Sequence, residues 1–164
     1  MVSVTTQGGP FEGPSAATLR RRAEKMISHL ALQGVELSIA LVDDATIHTL
    51  NRDYRHKDKP TDVLAFPLDE KVSAATGGRR LLGDVIVSVD TARRQAGQRR
   101  RPLLDEMTML LGHGLLHLLG YDHQTDEQER EMTALTVELE VAAAQRRKAT
   151  RAGPLTVRRG RRGG

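Results

Sequence analysis

Strands alternating with helices along a single chain predict an α+β domain, α/β-like in its element order, with one small mixed β-sheet packed by about five helices. Three observations carry this. Apolar residues at 35, 37, 39 and 41 alternate with polar ones, the period of a strand with one buried face. Leu19, Ala23, Met26, Ile27 and Leu30 recur at helical spacing. The length of 164 residues suits one domain with one core.

Taken in order, residues 1–14 are polar and glycine-rich and read as a disordered amino-terminal tail rather than a signal peptide. Ala16 to Leu32 is the first helix, ended by Gly34, and Val35 to Val42 is a strand. Asp43 or Asp44 can cap a second helix that runs to Tyr54, with Ile47 and Leu50 inward. The charged segment His56-Lys57-Asp58-Lys59-Pro60 is a loop, and Thr61 to Phe66 is a short strand closed by Pro67. Asp69 to Arg80, with Gly77-Gly78, reads as a hairpin connection into a strand over Leu82 to Val89. Asp90 or Thr91 can cap the short helix that follows. A further helix runs from Pro102 to Leu119, and a last one from Asp126 to Gln145 starts with acids that suit its dipole and turns Met132, Leu135 and Leu139 inward. Residues 15–145 form the domain, and 146–164 read as a disordered basic tail.

The chemistry concentrates in His113-Gly114-Leu115-Leu116-His117-Leu118-Leu119-Gly120-Tyr121-Asp122-His123, which holds three of the six histidines. Positions four apart share a helix face, so His113 and His117 project side by side. Gly120 permits the left-handed turn that ends a helix and brings His123 back toward them. The surrounding leucines make the helix apolar nearly all round, so unpartnered imidazoles there would be costly, and a cluster of merely packed histidines is the weaker reading. This His-rich helix is expected to line a metal site. Three imidazoles on one tetrahedral Zn²⁺ leave the fourth position for water, the arrangement of catalytic zinc. Cysteine is absent, which removes disulfides and thiolate ligands. Asp122, beside a ligand, either accepts an imidazole N–H or stabilises the turn before His123.

The run HGLLHLLGYDH resembles the histidine motif of the YbeY endoribonucleases, bacterial factors for ribosomal RNA maturation. Two further segments agree: Leu50 to Pro67, with its Asn51, Arg55 and Lys57-Asp58-Lys59-Pro60-Thr61-Asp62, and Gly83-Asp84-Val85-Ile86-Val87-Ser88. The three motifs span residues 50–123 in compatible order, and Ala65 departs from the Ser that the family usually carries there. The resemblance implies a zinc-dependent, single-strand-specific endoribonuclease, with one Zn²⁺ per chain on His113, His117 and His123. It further implies action in maturation of the 3′ end of small-subunit (16S) rRNA and in ribosome quality control, with the small ribosomal subunit and an assembly GTPase as partners. DNA is not expected as a substrate. Arg55 is the family-matching arginine, a guanidinium suited to fork onto a phosphate, or else a surface partner of Asp53 or Asp58. Lys57 and Lys59 either seat the RNA backbone or stand solvated.

Composition bounds the alternatives. All 21 acidic residues lie at or before Glu140, with 17 basic ones, so that part carries −4, and the eight basic residues beyond it make a cationic arm for RNA or a solubilising end. Arg93, Arg94, Arg99, Arg100 and Arg101 form a second basic cluster, either along a nucleic-acid path or on a solvated helix face. Two Phe, two Tyr and no Trp disfavour RNA binding by aromatic stacking. With no run near the ~20 apolar residues of a membrane helix, the expected location is the cytoplasm. Asp84 reads as structural. A zinc peptidase competes on the His-x-x-x-His pattern, but its general-base Glu is here Gly114. A noncatalytic assembly factor with a structural zinc is the other alternative.

Overall fold

The structure, a computed structural model, describes residues 1–68 and 78–145. Nine elements follow one another: β1 (Val2–Gln7), α1 (Ala16–His29), β2 (Val35–Val42), α2 (Asp44–Arg55), β3 (Val63–Pro67), β4 (Arg80–Ser88), α3 (Val89–Arg99), α4 (Leu103–Leu118) and α5 (Asp126–Ala144). The sheet order is β1-β2-β4-β3, with β1, β2 and β4 parallel and β3 antiparallel to β4. The expected mixed sheet with five helices is thus present. The basic tail 146–164 and most of the expected hairpin connection, residues 69–77, lie outside the described residues.

Strand alternation sorts the side chains onto two faces. Val35, Leu37, Ile39 and Leu41 of β2, with Val85 and Val87 of β4, face the main core beneath α1, α4 and α5. Val42, Leu64 and Ile86 face the other way and pack on Ile47 of α2. Helix α4 lies under the sheet against β3 and β4 and also touches α1, α3 and α5. Its buried residues, Met107, Leu110, Leu111, Leu115 and Leu116 among them, surround it almost completely, as the leucine run predicted.

The amino terminus corrects the sequence reading. Val2–Gln7 is not a loose tail but an edge strand, paired in register from Val2↔Leu37 to Gln7↔Val42. Only Val2 of it is buried, so the segment carries almost no apolar signal. Backbone hydrogen bonding to β2 supplies the order instead, and the Met1 ammonium adds a bond to the Val35 carbonyl at 2.7 Å. The cap of α3 is also shifted: Ser88, not Asp90 or Thr91, accepts the Thr91 N–H at 3.2 Å. Asp43 caps α2 as expected, and Thr125 with Gln128 forms a full capping box on α5.

Two local devices hold the sheet to the helices. At Gly83 the backbone has φ +137°, and a Cβ there would stand 2.2 Å from the Phe66 carbonyl oxygen, so β3 reaches β4 only because no side chain intervenes. At the start of α2, Asp44 accepts from Ser88 Oγ at 2.6 Å, Thr91 Oγ1 at 2.7 Å and Arg94 Nη2 at 2.8 Å, tying α2 to α3. Partial burial pushes the Asp44 carboxyl up, but the bonds from Ser88, Thr91 and Arg94 outweigh it and hold the group below its ordinary value of 3.8.

Gly83→Ala is expected to cost roughly 2 kcal/mol or more, because strain and a backbone clash coincide, and a urea titration would read this as a lowered midpoint. Asp44→Ala should cost about 1–3 kcal/mol near neutral pH. The folded-state pKa of Asp44 is depressed, so its contribution is full above about 3.8 and is lost as pH falls through the folded value. Parent and variant stabilities should therefore converge in acid, and a constant gap across pH would contradict the assignment.

Candidate metal centre

The three histidines converge. His113 and His117 project from one face of α4, and the helix ends at Leu118 with Leu119 as its C-cap. Gly120 follows at φ +96°, its N–H bonding the His117 carbonyl and that of Tyr121 bonding the Leu116 carbonyl, both at 3.0 Å. This is the paired closure in which a left-handed residue satisfies the last helical carbonyls. The chain then doubles back, and Asp122 Oδ1 accepts the His123 N–H at 2.7 Å. Of the two roles expected for Asp122, the structure shows the turn bond.

One nitrogen from each of His113, His117 and His123 lies within 4.8 Å of the others. His113 Nε2 and His117 Nε2 are 3.1 Å apart. Two ligands on a tetrahedral Zn²⁺ at about 2.05 Å would be separated by about 3.3 Å, so the spacing fits a shared cation. The protonation state fits too. Burial lowers the pKa of His113 first, with the charges of His117 and His123 acting in the same direction and Asp62 opposing them. Burial also dominates at His117, followed by His123, while Asp122 and the Tyr121 backbone oppose and Arg55 adds a lowering effect. Both imidazoles are thereby kept neutral near neutral pH, the form that binds metal.

A cleft of about 680 Å³ opens over the triad, and Arg55, Lys57, Lys59 and Asp62 line it together with the three histidines. Asn51 shapes its rim. This side chain is buried, and its Nδ2 donates to the Lys59 carbonyl at 2.8 Å, while the main-chain carbonyl of Asn51 accepts the Lys57 N–H at 3.2 Å. The left-handed His56 turns the chain between them, so the loop bearing both lysines is pinned to the helix. Arg55 donates through Nη2 to the Ala65 carbonyl at 2.5 Å, and its Cζ stands 5.2 Å from the Phe66 ring centre. Its alternative partners are engaged elsewhere, Asp53 by Arg52 at 3.1 Å and Asp58 by His48 at 2.7 Å.

Asn51 and Asp62 lay in the motif but were given no part in the sequence reading. Asp62 accepts from the Val63 N–H at 2.7 Å and from Gln95 Nε2 at 3.2 Å, which holds its carboxylate in the cleft. Its position directly before the β3 run was the available signal.

Four of the five arginines of the second basic cluster have partners within the fold. Arg93 bonds the Glu12 carbonyl, Arg94 pairs with Asp44 at 2.8 Å, and Arg99 and Arg101 reach the fully buried Glu106 at 3.2 and 3.1 Å. Arg101 also reaches Glu140 at 3.0 Å.

Gly114 bears on the reaction class. A Cβ at this position would stand 2.7 Å from Val85 Cγ1, so α4 is pressed onto β4 where a helical zinc peptidase carries its glutamate. No side chain fits there unless the helix or Val85 shifts.

Comparison with known proteins accords with this architecture. The family described as endoribonuclease YbeY matches residues 13–142. An endoribonuclease YbeY of Persephonella marina is 47% identical over 114 residues, covering 70% of this chain and 73% of its own. One from Anaeromyxobacter dehalogenans is 43% identical over 139 residues, covering 85% and 70%. One from Myxococcus xanthus is 49% identical over 137 residues, covering 83% of this chain and 46% of that longer protein. A solution structure of a Thermotoga maritima protein superposes with a TM-score of 0.61 at 26% identity, covering 87% of this chain and 89% of that one. With both the triad and the sequence match in agreement, the chain belongs to the endoribonuclease YbeY family, a family of hydrolytic nucleases.

Proposed function

We propose that this chain is a metal-dependent endoribonuclease that cuts single-stranded ribosomal RNA, using one Zn²⁺ per chain on His113, His117 and His123. The observation that carries this reading is the sharing of one cleft by three imidazoles and three cationic side chains. A Zn²⁺ in this donor set supplies a Lewis acid for a phosphoryl oxygen and a water whose pKa falls toward about 7.

The protein's own groups do the rest. Arg55 is oriented by the Ala65 carbonyl and the Phe66 ring, and a guanidinium with five N–H donors keeps several to place on the phosphate. Charge that gathers on the phosphoryl oxygens as the water adds meets a cation already in position, with no side chain to reorganise. Lys57 and Lys59 line the same cleft and hold the RNA backbone by charge, independent of sequence. Asp122 fixes the turn that presents His123. Within the cell, family membership supports 3′-end maturation of 16S rRNA and ribosome quality control, in the cytoplasm, with the small subunit and an assembly GTPase as partners. Among the described residues, no helix is long and apolar enough to cross a membrane.

His117→Ala is expected to lose the metal, since two ligands remain, and metal analysis after gel filtration checks this; one equivalent retained would sink the site. Arg55→Ala should retain metal and fold while kcat/KM on single-stranded RNA falls by roughly 10²–10³. Undiminished turnover would remove Arg55 from the chemistry. Cleavage of a ribosomal RNA fragment by metal-loaded protein beside identically purified His117→Ala tests the whole reading: cutting by the parent alone supports it, and cutting by neither favours a noncatalytic assembly factor.

A further inference from the structure

His113 and His123 face a second cavity as well as the cationic cleft. It lies between α4 and α5, holds about 480 Å³, and is lined by Met109 on α4 and by Glu129, Met132, Thr133 and Val137 on α5. The volume falls inside the roughly 300–1,000 Å³ range of small-ligand sites. Its character is opposite to that of the cleft. Two methionines and a valine give it apolar walls, while Glu129 and Glu140 give it carboxylates. Arg99 at its margin is paired with Glu106 at 3.2 Å. Glu129 and Glu140 make this cavity a poorer place for phosphate than the cleft lined by Arg55, Lys57 and Lys59.

We propose that this cavity is a nucleobase subsite, which takes the base of a nucleotide next to the scissile phosphate while its backbone stays in the cationic cleft. The inference rests on the reading of that cleft as the phosphate site. A base has two apolar faces and a polar edge, and the cavity offers the complement of both. Thioethers make favourable contacts with aromatic rings, which answers the scarcity of aromatic side chains in this protein. Carboxylates accept from the N–H groups of a base edge, and guanine presents two such donors side by side. His113 and His123 line both cavities, so the two adjoin at the metal centre. A nucleotide bound across that wall has its phosphate on one side and its base on the other.

The test is an NMR titration of the full, metal-loaded chain with guanosine 5′-monophosphate and with ribose 5-phosphate, which lacks the base. Guanosine monophosphate should bind roughly tenfold tighter, about 1.4 kcal/mol. Thr133→Trp fills the cavity from an exposed position on α5 and should bring the nucleotide down to the affinity of the sugar phosphate, leaving the latter unchanged. Val137→Trp, also exposed, serves as the second blocking variant. Equal affinities in the parent, or a base preference that survives both tryptophans, would overturn the subsite. Single-stranded RNA cleavage is measured in parallel: base-dependent binding without any cleavage upholds the subsite and defeats the nuclease reading.

Discussion

The approach of α4 to β4 at Gly114 is the constraint on which the site depends. With a Cβ at 114 only 2.7 Å from Val85 Cγ1, the helix lies too close to the sheet to carry a side chain there undisturbed. His113 and His117 ride on that helix, whereas Arg55 is tethered to Ala65 on β3. The distance between the imidazoles and the guanidinium is therefore set by helix-to-sheet packing, not by any bond between them. Gly83 acts in the same direction, letting the Phe66–Pro67 backbone close onto β4 and bringing the tether to the helix. The glycine that permits this packing is also the one that leaves no glutamate beside His113, so close packing and the lack of a helical general base have one cause.

Arginines in this chain divide by the company of carboxylates. Those at 94, 99 and 101 meet Asp44, Glu106 and Glu140 and serve as links between α2, α3, α4 and α5, while Arg93 donates to the Glu12 main-chain carbonyl before α1. Glu106 is fully buried, and removing either arginine would leave part of its charge uncompensated, the situation in which a buried ion pair matters most. Arg55 instead meets a carbonyl and a ring, which orient it without neutralising it. A cationic cleft thus sits in a body whose net charge is negative, and that contrast concentrates attraction for phosphate at one place.

Much of this was legible in the residues. The i, i+4 histidines, the glycine after them and the returning His123 specify their own geometry, because helix period and a left-handed cap are local properties. Strands β2 and β4 announced themselves by apolar runs. The edge strand β1 did not, since only Val2 is buried and its order comes from pairing with β2 residues 35 positions away in sequence. The ion pairs of the arginine cluster were hidden for the same reason: Arg101 finds Glu140 only after α4 and α5 have packed. Asn51 looked like an ordinary helix residue, and its task becomes visible only when the loop at 57–59 folds back over it. What sequence conceals here is not chemistry but long-range pairing.

The charges around the triad also explain how one small site can hold a cation and gather an anion. Asp62 acts on His113 in the sense that favours positive charge there, while Arg55 acts on His117 in the opposite sense. A field that favours a proton on an imidazole favours a divalent cation at the same point. Bonds from the Val63 N–H and from Gln95 Nε2 hold the Asp62 carboxylate in place beside His113. Arg55, its guanidinium charged at any working pH, supplies the opposing pole for phosphate. The cleft therefore carries an acidic group that favours the metal and a basic one that favours the substrate, with the imidazoles between them. The two residues stand seven positions apart in sequence, on either side of the Asn51-pinned loop, so a single turn of chain fixes both poles of the site.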